Sequence, residues 1–479
     1  NFTGEEIDKI RAWNPFNVCY CSPFFDSSIM FGFHGFDIVI GNPPYLKEGR
    51  ISKTLFEQYK TSPYYQGKMD LWYLFACKGI DYLKNYGILC FIATNNWTTS
   101  SGASKMRNKV ISDTQIKQLL DFSNFMIFES ASIQTMVMLF AKNSRIDNYI
   151  FDYRKLSGNT ILNDVFDLLH KNKNGKTTYL QPTILRKNYN DKFLTFNSDS
   201  IDLFLNEISK NCVYLTEKEI AQGLVFPQDF LNKKNQKILG NNFVEGQGIF
   251  ALSDSEMKSL ILSDSEMKLI KPYFTTEQIH KYYSDNQNVL WIIYTDSSFK
   301  VLSSMDKYPK LKKHLDQFLS VFTSDNKPYG LHRAREEKFF KGEKVIVQRK
   351  CVGVPIFSYS DFDSYVSQTF FIIKTDRFNH KYLTGLLNSK LIAFWLRHKG
   401  KMQGENYQLD KEPLLQLPIP TVSLAAQQPI ISLVEQIMSV KGENSAADTT
   451  ALERKIDELV YELYGLSEED IAVVERKNQ

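Results

Sequence analysis

The residues with the plainest chemical purpose are four in a row, Asn42-Pro43-Pro44-Tyr45, placed directly after Ile40-Gly41. Two of them carry oxygen acceptors whose direction the chain can fix. One is the Asn42 side-chain oxygen. The other is the Pro43 backbone carbonyl, because consecutive prolines lock φ and offer no N–H in competition. Such a pair suits an exocyclic amino group on a nucleobase, a poor nucleophile because its lone pair is delocalised into the ring. Taking both amino hydrogens favours a more pyramidal nitrogen that can attack a methyl sulfonium in line. Tyr45 adds a flat face on which an extruded base can stack. No metal or basic side chain is needed to pull the proton first. Taken alone, the tetrapeptide could equally be a rigid loop, since Pro-Pro is common punctuation. Its surroundings decide between the two.

Those surroundings are a strand end. Phe36-Asp37-Ile38-Val39-Ile40 is a continuous apolar run bounded by glycines, and open α/β sheets bind ligands beyond the carboxyl ends of their strands. Downstream, residues 70–83 have apolar positions at helical spacing and stop at Asn85-Tyr86-Gly87. Residues 88–93 predict a second buried strand, 102–111 a helix, 116–120 a third strand and 135–140 a fourth. Continuous apolar strands alternating with helices predict an α/β unit of doubly wound type, with a largely parallel sheet covered on both faces. From 144 to 213 the sequence turns polar and irregular and reads as connector. A second domain rich in Tyr, Phe and Lys follows, with strand candidates at 290–294, 344–347 and 369–373. It holds one local echo, Leu252-Ser253-Asp254-Ser255-Glu256-Met257-Lys258 repeated at 262–268, too short to imply a solenoid.

The 479 residues include 58 Lys+Arg and 54 Asp+Glu, with 43% hydrophobic and 23% charged. These are globular values that exclude a disordered, collagenous or coiled-coil chain. No apolar run reaches membrane-spanning length. The sequence starts at Asn1 without a signal-peptide pattern, so the expectation is a piece of a longer cytoplasmic protein. Charge is uneven: residues 305–401 hold 19 Lys/Arg against 9 Asp/Glu, and 422–479 hold 5 against 11. Only the middle segment offers a polyanion a strong field. The acidic tail, with helical runs at 430–440 and 452–464, reads as a solvated helical cap. Cys19, Cys21, Cys77, Cys90, Cys212 and Cys351 form no CxxC pair, and neither they nor the seven histidines cluster at zinc spacing. They are expected to be reduced and structural.

In order along the chain, Phe36 to Tyr45, Met69-Asp70-Leu71-Trp72-Tyr73-Leu74-Phe75, and Gly87-Ile88-Leu89-Cys90-Phe91-Ile92-Ala93-Thr94-Asn95-Asn96-Trp97 resemble successive motifs of DNA adenine-N6 methyltransferases. With a long recognition region behind them, they look like the γ-class, TaqI-like group, and most like the fused type IIG restriction enzyme and methyltransferase proteins. The resemblance extends from Asn14-Pro15-Phe16 to the last helices. It implies an α/β fold in which a partial Rossmann-like, S-adenosylmethionine-dependent methyltransferase sheet precedes an α/β, TaqI-like target-recognition domain and C-terminal helices. The implied boundaries are 1–150 for the methylase half, 151–214 for a connector, 215–421 for target recognition and 422–479 for the helical end.

By the same resemblance, Asn42 and Pro43 take the adenine amino group and Tyr45 stacks on the flipped base. A second aromatic closes its other face from 126–135, where Phe128 is the choice and Phe125 the near alternative. Asp70 either caps the helix beginning at Leu71 or faces the cofactor near its adenosine, and Trp97 packs. Double-stranded DNA is the implied partner, with no membrane involved. Its contacts are expected from Arg333, Arg335, Arg349, Lys350, Lys399, Lys401, Gln403 and Asn406, since Arg reads guanine and Gln or Asn reads adenine. Residues 381–390 also resemble that domain.

One departure matters. The cofactor S-adenosylmethionine needs a glycine-rich turn after one strand and an acidic residue ending the next, both N-terminal to Asn42 in this class. Phe31-Gly32-Phe33-His34-Gly35-Phe36 runs straight into the strand that carries Asn42, so it cannot also start the cofactor strand and is read as a decoy. The expectation is a C-terminal fragment, continuous with an upstream part of the same polypeptide, that binds DNA and does not methylate alone. A Mg2+-dependent nuclease is expected only upstream, because Glu336-Glu337-Lys338 has nuclease spacing without a strand. The alternative is a non-catalytic DNA-specificity or phage-defence module with a borrowed methylase fold.

Overall fold

The computed structural model describes residues 3–12, 27–49, 52–128, 133–189, 191–322, 329–403 and 406–476. The chain divides into two compact units, Asn1–Leu203 and Phe204–Gln479. Asn14-Pro15-Phe16, Cys19 and Cys21 lie outside the described residues.

The first unit is built on strands β1 (Phe36–Gly41), β2 (Leu83–Thr94), β3 (Thr114–Asp121), β4 (Thr135–Lys142), β5 (Asp152–Leu156) and β6 (Thr177–Leu180). Their order across the sheet is β1-β2-β4-β3-β5-β6. Helix α1 (Leu71–Tyr82) joins β1 to β2 and helix α2 (Ser104–Asp113) joins β2 to β3. β1 and β2 are parallel, with Ile38 opposite Ile88 and Gly41 opposite Phe91. The sheet is mixed, which corrects the expectation of a largely parallel one. No crossover helix is described between β3 and β4, so the chain doubles back and β4 runs antiparallel to both β2 and β3.

Helices α1 and α2 cover one face, where Trp72, Phe56, Trp97 and Phe140 are fully buried. Gly79 makes the close approach possible: a Cβ there would sit 2.6 Å from a Leu89 methyl. Val39 points into this core, whereas Ile38 and Ile40, alternating with it, are 64% and 76% exposed. Residues 151–203, expected as connector, instead belong to the unit. β5 pairs with β3 and β6 with β5, and helix α3 (Leu162–His170) packs Val165 and Leu168 against Leu120, Phe122 and Leu156. Polar loop residues such as 171–176 hid short strands whose apolar positions are few.

The second unit holds a five-stranded sheet in the order 220–222, 370–373, 344–348, 357–360, 282–283, and a four-stranded sheet in the order 251–253, 290–293, 270–274, 365–366. Its third sheet is a ribbon of Lys350–Cys351, Asn406–Gln408 and Lys401–Gln403. The helical end is present as Leu424–Glu443, Thr450–Tyr464 and Glu468–Glu475. The echoed heptapeptide forms two capping boxes, at Ser253 with Glu256 and at Ser263 with Glu266. Among the described residues no helix is long and apolar enough to cross a membrane.

Candidate base-binding site and nucleic-acid surface

The Asn42 tetrapeptide leaves β1 at its carboxyl end, with Asn42 and Pro44 exposed, Pro43 buried and Tyr45 half-buried. The Tyr45 hydroxyl lies 2.8 Å from the Ile92 carbonyl of β2 and also reaches Asn42 Oδ1. The hydroxyl is shared between two acceptors, which engages one lone pair of Asn42 Oδ1 and leaves the other open. Burial, helped by the nearby Asp70 carboxylate, pushes the Tyr45 hydroxyl up to about 12 and keeps it a donor at ordinary pH.

The structure brings Phe128 beside this residue: the two rings are 6.4 Å apart at 51°. Phe125 and Ile127 face the other way, packed against the small cluster under α3. Residues 129–132 of the same loop lie outside the described residues.

Asp70 stands at the N-cap position of α1 but makes no side-chain capping bond. It is 2% exposed, and its Oδ1 has no hydrogen-bond partner. Burial raises its pKa, against the pull of backbone amides at Leu46, Trp72 and Leu71 and of the Lys47 charge. A buried carboxylate oxygen without a partner is costly unless something binds it. Trp97 is fully buried, edge-on to Phe140.

The glycine-rich decoy is a packing turn. Gly35 has φ +79, and a Cβ there would sit 2.9 Å from the Tyr82 carbonyl. Phe31, Phe33 and Phe36 form a knot of rings around it. Glu336-Glu337-Lys338 is also spoken for: Glu337 binds the Tyr365 hydroxyl and Lys271, and Lys338 pairs with Glu336. Among the described residues no group of His, Cys, Asp or Glu could hold a metal ion, and Cys77, Cys90, Cys212 and Cys351 are free thiols.

In the second unit the basic residues fall into two linked sets. Arg335, at φ +63, donates toward the Gly223 carbonyl and Gln222 Oε1. Arg333 beside it is exposed, and its charge adds to burial in lowering the Arg335 pKa. Gln222 Nε2 in turn binds the Gln368 carbonyl at 3.1 Å, which Arg349 also reaches at 3.2 Å. Arg349 is committed within the protein: it pairs with Asp410 at 2.6 Å and lies over the Phe371 ring. Lys350 is exposed on the neighbouring ribbon. There Lys350 and Lys401 both stand opposite Gln408, and Gln403 faces Asn406 at the tip. Gln403 and Asn406 are exposed, while Lys399 and Lys401 are half-buried. Gln222 and Gln368 were missed from sequence, where a lone glutamine near a strand carries no signal.

The fold is similar to the Type IIL restriction-modification enzyme MmeI in complex with DNA, with a TM-score of 0.56 and 14% identity, over 91% of this chain and 55% of that one. The chain thus spans about half of that solved protein. Residues 5–128 match the Eco57I restriction-modification methylase family, and residues 271–419 match the TaqI-like C-terminal specificity domain family. Among curated relatives, the Type II methyltransferase M.HindII of Haemophilus influenzae is 22% identical over 87% of this chain and 80% of its own length. The Type II restriction enzyme and methyltransferase RM.Eco57I of Escherichia coli is 24% identical over 31% of this chain and 15% of its own.

Proposed function

We propose that this chain is the base-activating half and target-recognition domain of a site-specific DNA adenine-N6 methyltransferase within a type IIG restriction-modification protein. One observation carries the reading: an exposed Asn42 at the carboxyl end of β1 stands with two aromatic rings 6.4 Å apart beside it. A flipped adenine needs about 3.5 Å on each face, about 7 Å in all, so the 6.4 Å separation must open slightly and the rings must turn from 51° toward parallel to admit it. Asn42 Oδ1 and the Pro43 carbonyl then accept the two amino hydrogens, while the Tyr45 hydroxyl donates its hydrogen bond to the Ile92 carbonyl and the ring supports one face of the base. Charge that develops on the amino nitrogen during attack meets preoriented acceptors, with no reorganisation needed at that moment.

S-adenosylmethionine, when bound, supplies the electrophilic methyl. The described residues fit one corner of it: the unpartnered Asp70 oxygen can accept an N–H or O–H of the adenosine. The remaining donors are assigned to an upstream part of the polypeptide, laid along the outer side of β1 where Ile38 and Ile40 are exposed. Any Mg2+-dependent nuclease is assigned upstream as well. M.HindII, a methyltransferase matched over 80% of its length, supports the methylase reading independently of a fused nuclease.

The test is modification-sensitive sequencing of DNA from cells expressing the full gene, beside Asn42→Ala. N6-methyladenine at one short motif, lost in the variant, is the expected result. Methylation that survives in the variant would remove the reading. The isolated chain is expected to shift duplex DNA in a gel and to transfer no methyl group.

A further inference from the structure

The aromatic wall opposite Tyr45 sits on a loop that starts with an improbable turn. Ser123, two residues after β3 begins to end, has φ +53, a left-handed conformation that a serine adopts only when something holds it. The holder is Asp121, the last residue of β3. Its Oδ1 accepts the Ser123 backbone N–H at 2.9 Å. The same oxygen accepts Asn95 Nδ2 at 2.9 Å, and its Oδ2 receives the buried Tyr153 hydroxyl at 3.3 Å. Asn95 is the residue that follows β2, and its backbone N–H binds the Gln134 carbonyl at 3.2 Å on the far side of the loop. The loop is further tied by Phe122 N–H to the Thr135 carbonyl and by Gln134 Nε2 to Asn124 Oδ1.

Both ring walls therefore take their position from the end of β2. Tyr45 is tied to the Ile92 carbonyl, and the Phe128 loop is tied to Asn95 three residues later. We propose that Asp121 is a positioning residue for the base slot: by bridging Asn95 and the left-handed Ser123 turn, it sets the gap between Tyr45 and Phe128. It touches no substrate itself. The inference rests on the base-slot reading above. Its consequence follows from how steeply transfer depends on placement, since a misplacement of about 1 Å can cost ~10²-fold in rate.

The test uses the full gene product and a duplex containing the motif found by sequencing, and measures kcat and KM for DNA separately. Asp121→Ala is expected to lower kcat by tenfold or more with KM within twofold of wild type. Asp121→Asn keeps an acceptor oxygen for Ser123 and Asn95 and is expected to stay near wild type. Adding Ser123→Gly to Asp121→Ala should recover much of the loss, because glycine takes a positive φ without support. Unchanged kcat in Asp121→Ala, equal loss of kcat and DNA affinity, or no recovery in the double variant would overturn the proposal. An Asn42→Ala control separates the two levels. If that control methylates normally, the base-slot reading has failed; if it is inactive while Asp121→Ala is normal, only the positioning role has failed.

Discussion

The rim of the first unit and the basic surface of the second solve different problems, and their construction differs accordingly. The rim is local: Asn42 to Tyr45 are contiguous, two prolines fix their direction, and a single carbonyl of β2 anchors the ring. The basic surface is dispersed. Arg335, Gln222, Gln368 and Arg349 are scattered along the chain and joined only by hydrogen bonds in the fold. Chemistry that needs two acceptors at a fixed angle favours neighbours in sequence, whereas readout of a long groove needs donors spread over many loops.

The sharpest way to test that contrast is to remove one acceptor from the rim. Asn42→Ala is expected to lower methyl transfer by the full gene product by ~10²–10³-fold, the range for losing one preorganised polar group at a reacting centre, with duplex affinity unchanged. Single-turnover kinetics alongside a binding titration checks it. A comparable loss of DNA affinity would show that the rim and the recognition surface are not separate devices.

Phe128 and Phe125 offer the next test, because they lie three residues apart and face opposite ways. If Phe128 stacks on the base as proposed, Phe128→Ala removes a face worth about 1–3 kcal/mol, and should lower transfer about tenfold while leaving Tm nearly unchanged. Phe125→Ala opens a hole in a partly buried cluster and should lower Tm with little effect on transfer by the folded fraction. Calorimetry and steady-state kinetics on both variants separate the two. Reversed effects would mean that the second wall is Phe125.

Much of the rim was legible because its signals are one-dimensional. The apolar run before Asn42 marks β1, the run at 88–93 behind Gly87 marks β2, and the run at 135–140 marks β4. Direction was not legible: an apolar strand reads alike in parallel and antiparallel sheets, so the reversed β4 went unseen. The start of β2 was hidden because Tyr86, at φ +68 just before Gly87, imitates a helix stop while lying within the strand. Arg349 shows the limit in the second unit. Its residue type suits guanine, but only the fold reveals Asp410 and Phe371 already occupying its guanidinium.

Titration of Tyr45 distinguishes the rim in a further way. Its folded pKa, about 12, stands above the ordinary value of 10 through burial and the Asp70 carboxylate. Stability from keeping this hydroxyl neutral is therefore fully present below pH 10 and is lost as pH rises from 10 through about 12. Tyr45→Phe should flatten that limb of a Tm-against-pH curve relative to wild type. An unchanged curve would place the hydroxyl in solvent rather than against Ile92.

The smallest expected effects belong to the ribbon, and there the comparison between Lys350 and Arg349 is the informative one. Adjacent in sequence, they differ in what the fold leaves them: Lys350 is exposed, whereas Arg349 is half-buried in an ion pair with Asp410. If Lys350 meets a phosphate, Lys350→Ala should weaken DNA binding only a few-fold, equally for cognate and unrelated duplexes, and lower the salt slope by about one. Arg349→Ala should instead lower Tm, because it leaves the Asp410 carboxylate without its cation and strips the cover from Phe371, and should change the salt slope little. Binding titrations across salt concentrations measure both slopes. If the arginine variant carried the larger slope change, Asp410 would have to release Arg349 when DNA binds, and the recognition surface would then include a group that the free protein holds in reserve.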